Sequence, residues 1–187
     1  SALIAHADAT IHLMDIGSGD CQRVFCGHEH AVSAVAAVAD GRLAVSASYD
    51  CTLRLWELQS GACLRTMNGH DQAIHSERDS ADGRNTCSAS SDSTVRLWDL
   101  KTGNCLRVLE IGSRVNDAAI TADAKFILSA DQEGYVKAWE SNSGECLAVY
   151  PAPDSVNCLS EITAGGQFGC GLEAGDVLLF RARFPSA

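Results

Sequence analysis

Histidines and carboxylates are the residues of this chain that could do chemistry, and their spacing decides which kind. His28 and His70 each follow a glycine and each has an aspartate nearby, so either could be a general base or a metal ligand. Both recur with glycine before and tryptophan after at matching spacing, which marks a structural position. His6, His12, His30 and His75 keep no such register and read as surface residues. Glu77 and Asp79 are a second candidate, because in a regular strand they share a side with His75 and could hold a metal or serve hydrolysis. No fourth ligand accompanies them. There is no glycine-rich phosphate loop with a following lysine, no nucleophile elbow, and no cysteine or histidine cluster with zinc spacing. The chain reads as non-catalytic, with no cofactor and no metal.

The elements that would position these residues come from a repeat. Asp50 to His70 reads DCTLRLWELQSGACLRTMNGH and Asp92 to Glu110 reads DSTVRLWDLKTGNCLRVLE. Trp56, Trp98 and Trp139 stand 42 and 41 residues apart, with Met14 42 before the first and Phe180 41 after the last. Cys21, Cys63, Cys105 and Cys146 keep the same beat. In the repeat that starts at Gly27-His28, strands are predicted over Val32 to Val38, Leu43 to Ser48, Thr52 to Glu57 and Cys63 to Met67, with a turn at Ala39-Asp40-Gly41. Four short strands with tight turns make an antiparallel meander. In the next repeat Glu77 and Asp79 stand where Val35 and Ala37 stood. Buried unpaired, they would cost several kcal/mol, so the strand is expected to be locally irregular, or neutralised by Arg78, Arg84 or a neighbouring chain. Later strands are predicted near Val115 to Ile120, Phe126 to Ala130, Tyr135 to Glu140 and Cys146 to Val149, with Pro151, Pro153 and Pro185 outside strands.

Composition narrows the function. With 46% apolar residues and three prolines in 187, the chain buries a core. A net charge of −10 repels phosphate backbones and acidic lipid, so neither nucleic acid nor membrane is an expected partner. The longest uncharged apolar run, Ala31 to Ala39, is too short to span a bilayer. Nine cysteines without CxxC pairs read as reduced, buried, small apolar side chains, which points to the cytoplasm.

Gly-His, a turn aspartate and Trp-Asp or Trp-Glu in a repeat of this length resemble the WD-repeat family of β-propellers. That resemblance implies an all-β fold: a partial ring of about four to five four-stranded antiparallel blades over residues 1–25, 26–67, 68–109, 110–149 and 150–187. It implies a hydrogen-bonded chain of His28, Ser46, Asp50 and Trp56, and another of His70, Ser88, Asp92 and Trp98. In the family the outermost strand missing from the last blade comes from the N-terminal end of the ring. Ala187 is accordingly expected near a true C-terminus, with the missing part before Ser1. The phrases DLKTGNCLRVLE, SADGR and VADGR are also similar to C-terminal propellers of apoptosome- and NACHT-type signalling ATPases.

The function implied is a protein-interaction scaffold, used as the recognition, sensor or autoinhibitory module of a larger cytoplasmic protein; a free-standing adaptor subunit is the alternative and a metal-dependent hydrolase a lesser one. Protein partners or other domains of the parent chain are expected, as is self-association to complete the ring. By family position the candidate contact residues are Ser33, His75, Asn116 and Asn157 at the starts of inner strands. Tyr49, Ser91 and Gln132 stand before the turn acids, and Arg114 two residues before Asn116. Tyr49, His75 and Arg114 carry the richest contact chemistry.

Overall fold

A computed structural model describes residues 1–38, 41–160, 162–163 and 166–182. Within them the chain forms five antiparallel sheets, each a meander in sequence order. The first holds β1 (Ala2–Ala5), β2 (Ile11–Met14) and β3 (Cys21–Phe25). The second holds β4 (Val32–Ala37), β5 (Leu43–Ser48), β6 (Leu53–Glu57) and β7 (Cys63–Met67). The third is β8 (Ile74–Asp79), β9 (Asn85–Ser90), β10 (Thr94–Asp99) and β11 (Cys105–Glu110). The fourth is β12 (Val115–Ile120), β13 (Phe126–Asp131), β14 (Tyr135–Glu140) and β15 (Cys146–Pro151). The fifth is β16 (Val156–Leu159), β17 (Gln167–Leu172) and β18 (Val177–Arg181). Among the described residues no helix is long and apolar enough to cross a membrane. The predicted turn residues Ala39 and Asp40, and Pro185 and Ala187, lie outside the described residues.

Strands β4, β8, β12 and β16 lie side by side, so each four-stranded sheet presents its first strand to the next sheet. The core lies between sheets rather than within one, and the tryptophans fill it. Trp56 packs on Ile11 and Phe25 of the preceding sheet. Trp98 packs among Val45, Leu53, Leu55 and Met67, and Trp139 among Val95, Leu97 and Leu109. Period-2 alternation aims one side of each strand into these seams, and the repeat carries one large ring to every seam. In the fifth sheet Phe168 takes a comparable place against Leu128 and Val136, with Phe180 stacked on it at 5.4 Å.

Two irregularities recur in every full sheet. The first strand pair carries a bulge at Val32/Ala34, Ile74/Ser76, Val115/Asp117 and Val156/Cys158, so residues 33, 75, 116 and 157 are extra residues that leave the alternation. The turn between β1 and β2 of the first sheet, and the turn after the second strand of each later sheet, holds one residue in the left-handed region: Ala9 (φ 70°), Cys51 (70°), Ser93 (68°), Gly134 (84°) and Gly175 (92°). Alanine is thus tolerated at this φ, but not everywhere in the repeat. A Cβ on Gly134 would stand 2.7 Å from the Asp154 carbonyl oxygen, whereas one on Gly175 meets nothing within 4 Å. Gly134→Ala is expected to destabilise by about 2 kcal/mol and Gly175→Ala by about 1, measured by urea unfolding. Equal losses would show that the backbone beside Gly134 gives way.

Three expectations need correction. Cys21, Cys63, Cys105 and Cys146 are exposed, not buried, because each opens the outermost strand of its sheet. Pro151 closes β15 rather than lying outside it; on this edge strand its missing N–H leaves no ladder bond unmade. His6, His12 and His75 are half-buried, not surface residues; the rings of His6, which follows β1, and His12, on the neighbouring β2, lie 4.2 Å apart, and His75 sits in β8.

Candidate functional site

Two hydrogen-bonded chains of the same geometry cross the second and third sheets. His28 Nδ1 lies 2.7 Å from Asp50 Oδ2 and Nε2 lies 2.7 Å from Ser46 Oγ, while Trp56 Nε1 donates to that oxygen at 2.8 Å. In the next sheet His70 stands 2.7 Å from both Asp92 and Ser88, and Trp98 donates to Ser88 at 2.9 Å. An ionised aspartate only accepts, so Nδ1 carries the proton and Nε2 accepts from the serine hydroxyl. Four groups are satisfied in sequence.

Burial alone would raise the Asp50 carboxyl, but hydrogen bonds from Thr52, the Glu29 amide and His28 outweigh it and hold it at about 2. Burial in turn pushes both imidazoles below the usual histidine range, against the pull of their aspartates. They stay neutral at physiological pH. A histidine with a depressed folded-state value contributes stability that is lost as pH falls through its unfolded value near 6.5. The order Asp, His, Ser matches a hydrolase triad, yet Ser46 and Ser88 are fully buried and each oxygen is already bonded on both sides. No substrate carbonyl reaches either hydroxyl.

The fourth sheet keeps half of this chain, with Trp139 Nε1 donating to Ser129 at 2.9 Å. Ile111 stands at the histidine position and Glu133 at the aspartate position. Asp131 takes over the turn: its Oδ1 accepts the Glu133 and Tyr135 amides at 3.1 and 2.8 Å, and Lys137 lies 3.4 Å from its other oxygen. A model of the family described as "WD domain, G-beta repeat" matches residues 19–57 and 61–99, the stretches that carry Trp56 and Trp98. Those two stretches are WD repeats, and the five antiparallel sheets fit a WD-repeat fold. A search of curated proteins finds no match.

WD repeats place the candidate contact residues at one end of the sheets, and backbone bonds fix them there. Tyr49, Ser91, Gln132 and Glu173 donate their amides to the carbonyls of Ala31, Ala73, Arg114 and Ser155, each at 3.0 Å. The bulge residues split into two kinds. Ser33 Oγ donates to the Ile74 carbonyl at 2.7 Å and Asn116 Nδ2 to that of Val156 at 3.0 Å, so both stitch one repeat to the next. His75 instead bonds Ser91 at 2.7 Å and meets the Tyr49 ring edge-on at 5.6 Å. Burial and then the Arg114 charge lower its proton affinity. Tyr49 is 49% exposed, and Arg114, Gln132 and Asn157 are exposed. Among the described residues Arg114 makes no ion pair.

The bulge at Ile74/Ser76 also separates His75 from the acidic pair, which a regular alternation would have put on the same side. Strand β8 is not displaced, and Glu77 pairs in register with Ser88 at 1% exposure. Among the described residues no three His, Cys, Asp or Glu converge to hold a metal. Asp117, not singled out by its repeat position, is 3% exposed and joins this region. Its Oδ2 accepts the Leu159 amide at 2.8 Å, as Ser76 accepts that of Ala118 at 3.2 Å. The signal was available: residues 76 and 117 each follow the extra bulge residue, where the next repeat presents an amide.

Proposed function

We propose that this WD-repeat segment is a non-catalytic interaction scaffold, the recognition or sensor propeller of a larger cytoplasmic protein that it also serves to restrain. The reading rests on one observation. Tyr49, His75 and Ser91 touch across two repeats, with Arg114 on the third; His75 is the bulge residue of β8, and the other three stand on segments held by backbone bonds. Such a face binds at low entropic cost because its side chains are already ordered. Aromatic and arginine side chains on it are the types that dominate binding energy.

Among the described residues the first and last sheets hold three strands and the middle three hold four, which supports reading them as the blade segments 1–25, 26–67, 68–109, 110–149 and 150–187 of a partial ring. The nine cysteines are all free, six of them exposed, which favours a reducing compartment. Exchange of Tyr49, His75 and Arg114 for alanine in the full chain is expected to leave the thermal midpoint within about 2 °C, since surface changes stay within roughly 0.5 kcal/mol. The same variant is expected to lose at least tenfold in affinity for a protein captured from cytosol by the unaltered chain. Unchanged affinity would remove recognition from this face.

A further inference from the structure

The connection from β7 to β8 carries the sequence's single Asn-Gly pair, Asn68-Gly69, immediately before His70. Both residues are exposed. Among the described residues neither the Asn68 side-chain amide nor the Gly69 backbone N–H makes a hydrogen bond. Packing fixes the glycine. A Cβ at residue 69 would stand 2.7 Å from Arg96 Nη1 and 3.1 Å from the Trp98 ring, as one at Gly27 would stand 2.7 Å from Arg54 Nη1 and 3.3 Å from Trp56. Packing does not fix the residue before it, which is an exposed cysteine, Cys26, one repeat earlier. Both ends of the short segment are pinned. Met67 is buried in the seam with Trp98, His70 is bonded to Asp92 and Ser88, and the Asp71 amide donates to Asp92 at 3.1 Å.

We propose that Asn68-Gly69 is a self-modification site, at which the asparagine loses its amide through a succinimide and the backbone gains a methylene next to His70. The Gly69 nitrogen gives up its proton and attacks Asn68 Cγ, forming a C–N bond, and the side-chain NH2 leaves as ammonia with a proton from water. Water then opens the ring. Attack at the α-carbonyl breaks its bond to the Gly69 nitrogen and leaves isoaspartate, with the chain running through Cγ; attack at Cγ leaves aspartate. The net exchange is one water for one ammonia, so no oxidant or cofactor takes part. Three features favour the first step. Gly69 has no Cβ to crowd its nitrogen, its N–H is tied to no acceptor, and the Arg96 guanidinium over residue 69 favours the amide anion. Isoaspartate lengthens a two-residue span with fixed ends, so the strain falls on the His70 bonds and the Trp98 seam. Asn142-Ser143 is the internal comparison: it is also exposed, but Ser143 carries a Cβ and its amide donates to Glu140.

The test is incubation of the full chain at pH 8 and 37 °C, sampled over weeks by tryptic mapping. The peptide of residues 66–78 is expected to gain about 1 Da at Asn68, and most of that product to accept a methyl group from an isoaspartyl methyltransferase. Conversion at Asn68 is expected to run about tenfold faster than at Asn142. The aged chain is expected to unfold at lower urea than the fresh one, while Asn68→Gln, whose longer side chain closes a less favoured ring, keeps both its mass and its midpoint. A peptide of unchanged mass, or conversion no faster than at Asn142, overturns the site. Conversion to aspartate alone, or conversion with an unmoved urea midpoint, overturns the lengthened backbone beside His70.

Discussion

Replacing Glu77 with valine is expected to stabilise the chain by about 2 kcal/mol at pH 7.5, within the roughly 1–4 kcal/mol by which apolar residues outdo buried charges of similar volume. The repeat supplies the model for the change, since Val35 holds the same position one sheet earlier. Burial pushes the Glu77 carboxyl well above its usual range, Asp79 adds to the effect, and Arg78 opposes it. The folded chain therefore binds protons that the unfolded chain has already released. A carboxyl raised on folding makes stability fall as pH rises, from its unfolded value near 4 through its folded value. For Asp79 that window closes at about 6, and Glu77 contributes in the same direction. Urea unfolding at pH 5 and pH 7.5 is expected to show the unaltered chain less stable at the higher pH and Glu77→Val much less sensitive. Destabilisation by valine would mean that the Glu77 carboxylate is held by donors worth more than its burial costs.

The largest loss is expected from Trp98→Ala, about 4 kcal/mol, because it opens the seam between the second and third sheets and removes a donor from a closed chain of bonds. Ser88→Ala separates the two contributions. It removes a single oxygen, leaves the indole N–H and His70 Nε2 buried without partners, and is expected to cost about 3 kcal/mol. Against a total stability of roughly 5–15 kcal/mol, either change consumes much of what holds a domain together. Trp98→Phe keeps most of the ring and loses the donor, so it should fall between no effect and Ser88→Ala. A Ser88→Ala variant as stable as the unaltered chain would show that the network contributes little cohesion, leaving Trp98 to act by volume alone.

The large side chains and the polar chain that crosses between strands were legible because they recur. Trp56 and Trp98 announce the strand and, with His28 and His70, the partners they bond. What recurs by position but varies in type was harder to read. Residues 9, 51, 93, 134 and 175 share a left-handed backbone, but only two of them are glycine, so the turn demand is invisible from residue identity. Asp131 replaces a histidine–aspartate pair from a different strand position, which no match of position to position would reveal. The exposed cysteines misled because cysteine is so often buried, whereas the outermost strands β3, β7, β11 and β15, which they open, face outward. The bulge hid in plain alternation: period 2 places His75 beside Glu77, and one extra residue sends it to Tyr49 and Ser91 instead.

The central claim is a division of labour, in which buried Asp, His, Ser and Trp hold the repeats together and the face around Tyr49, His75 and Arg114 recognises. Its most direct measurement compares two variants of the full chain, Ser46→Ala with Ser88→Ala and Tyr49→Ala with His75→Ala and Arg114→Ala, for unfolding free energy and for affinity to one captured partner at a temperature where both are folded. The account predicts that the serine pair loses about 4 kcal/mol or more of stability and keeps its affinity, while the face variant keeps its stability and loses affinity at least tenfold. The reverse pattern, or equal loss of affinity in both, would contradict it.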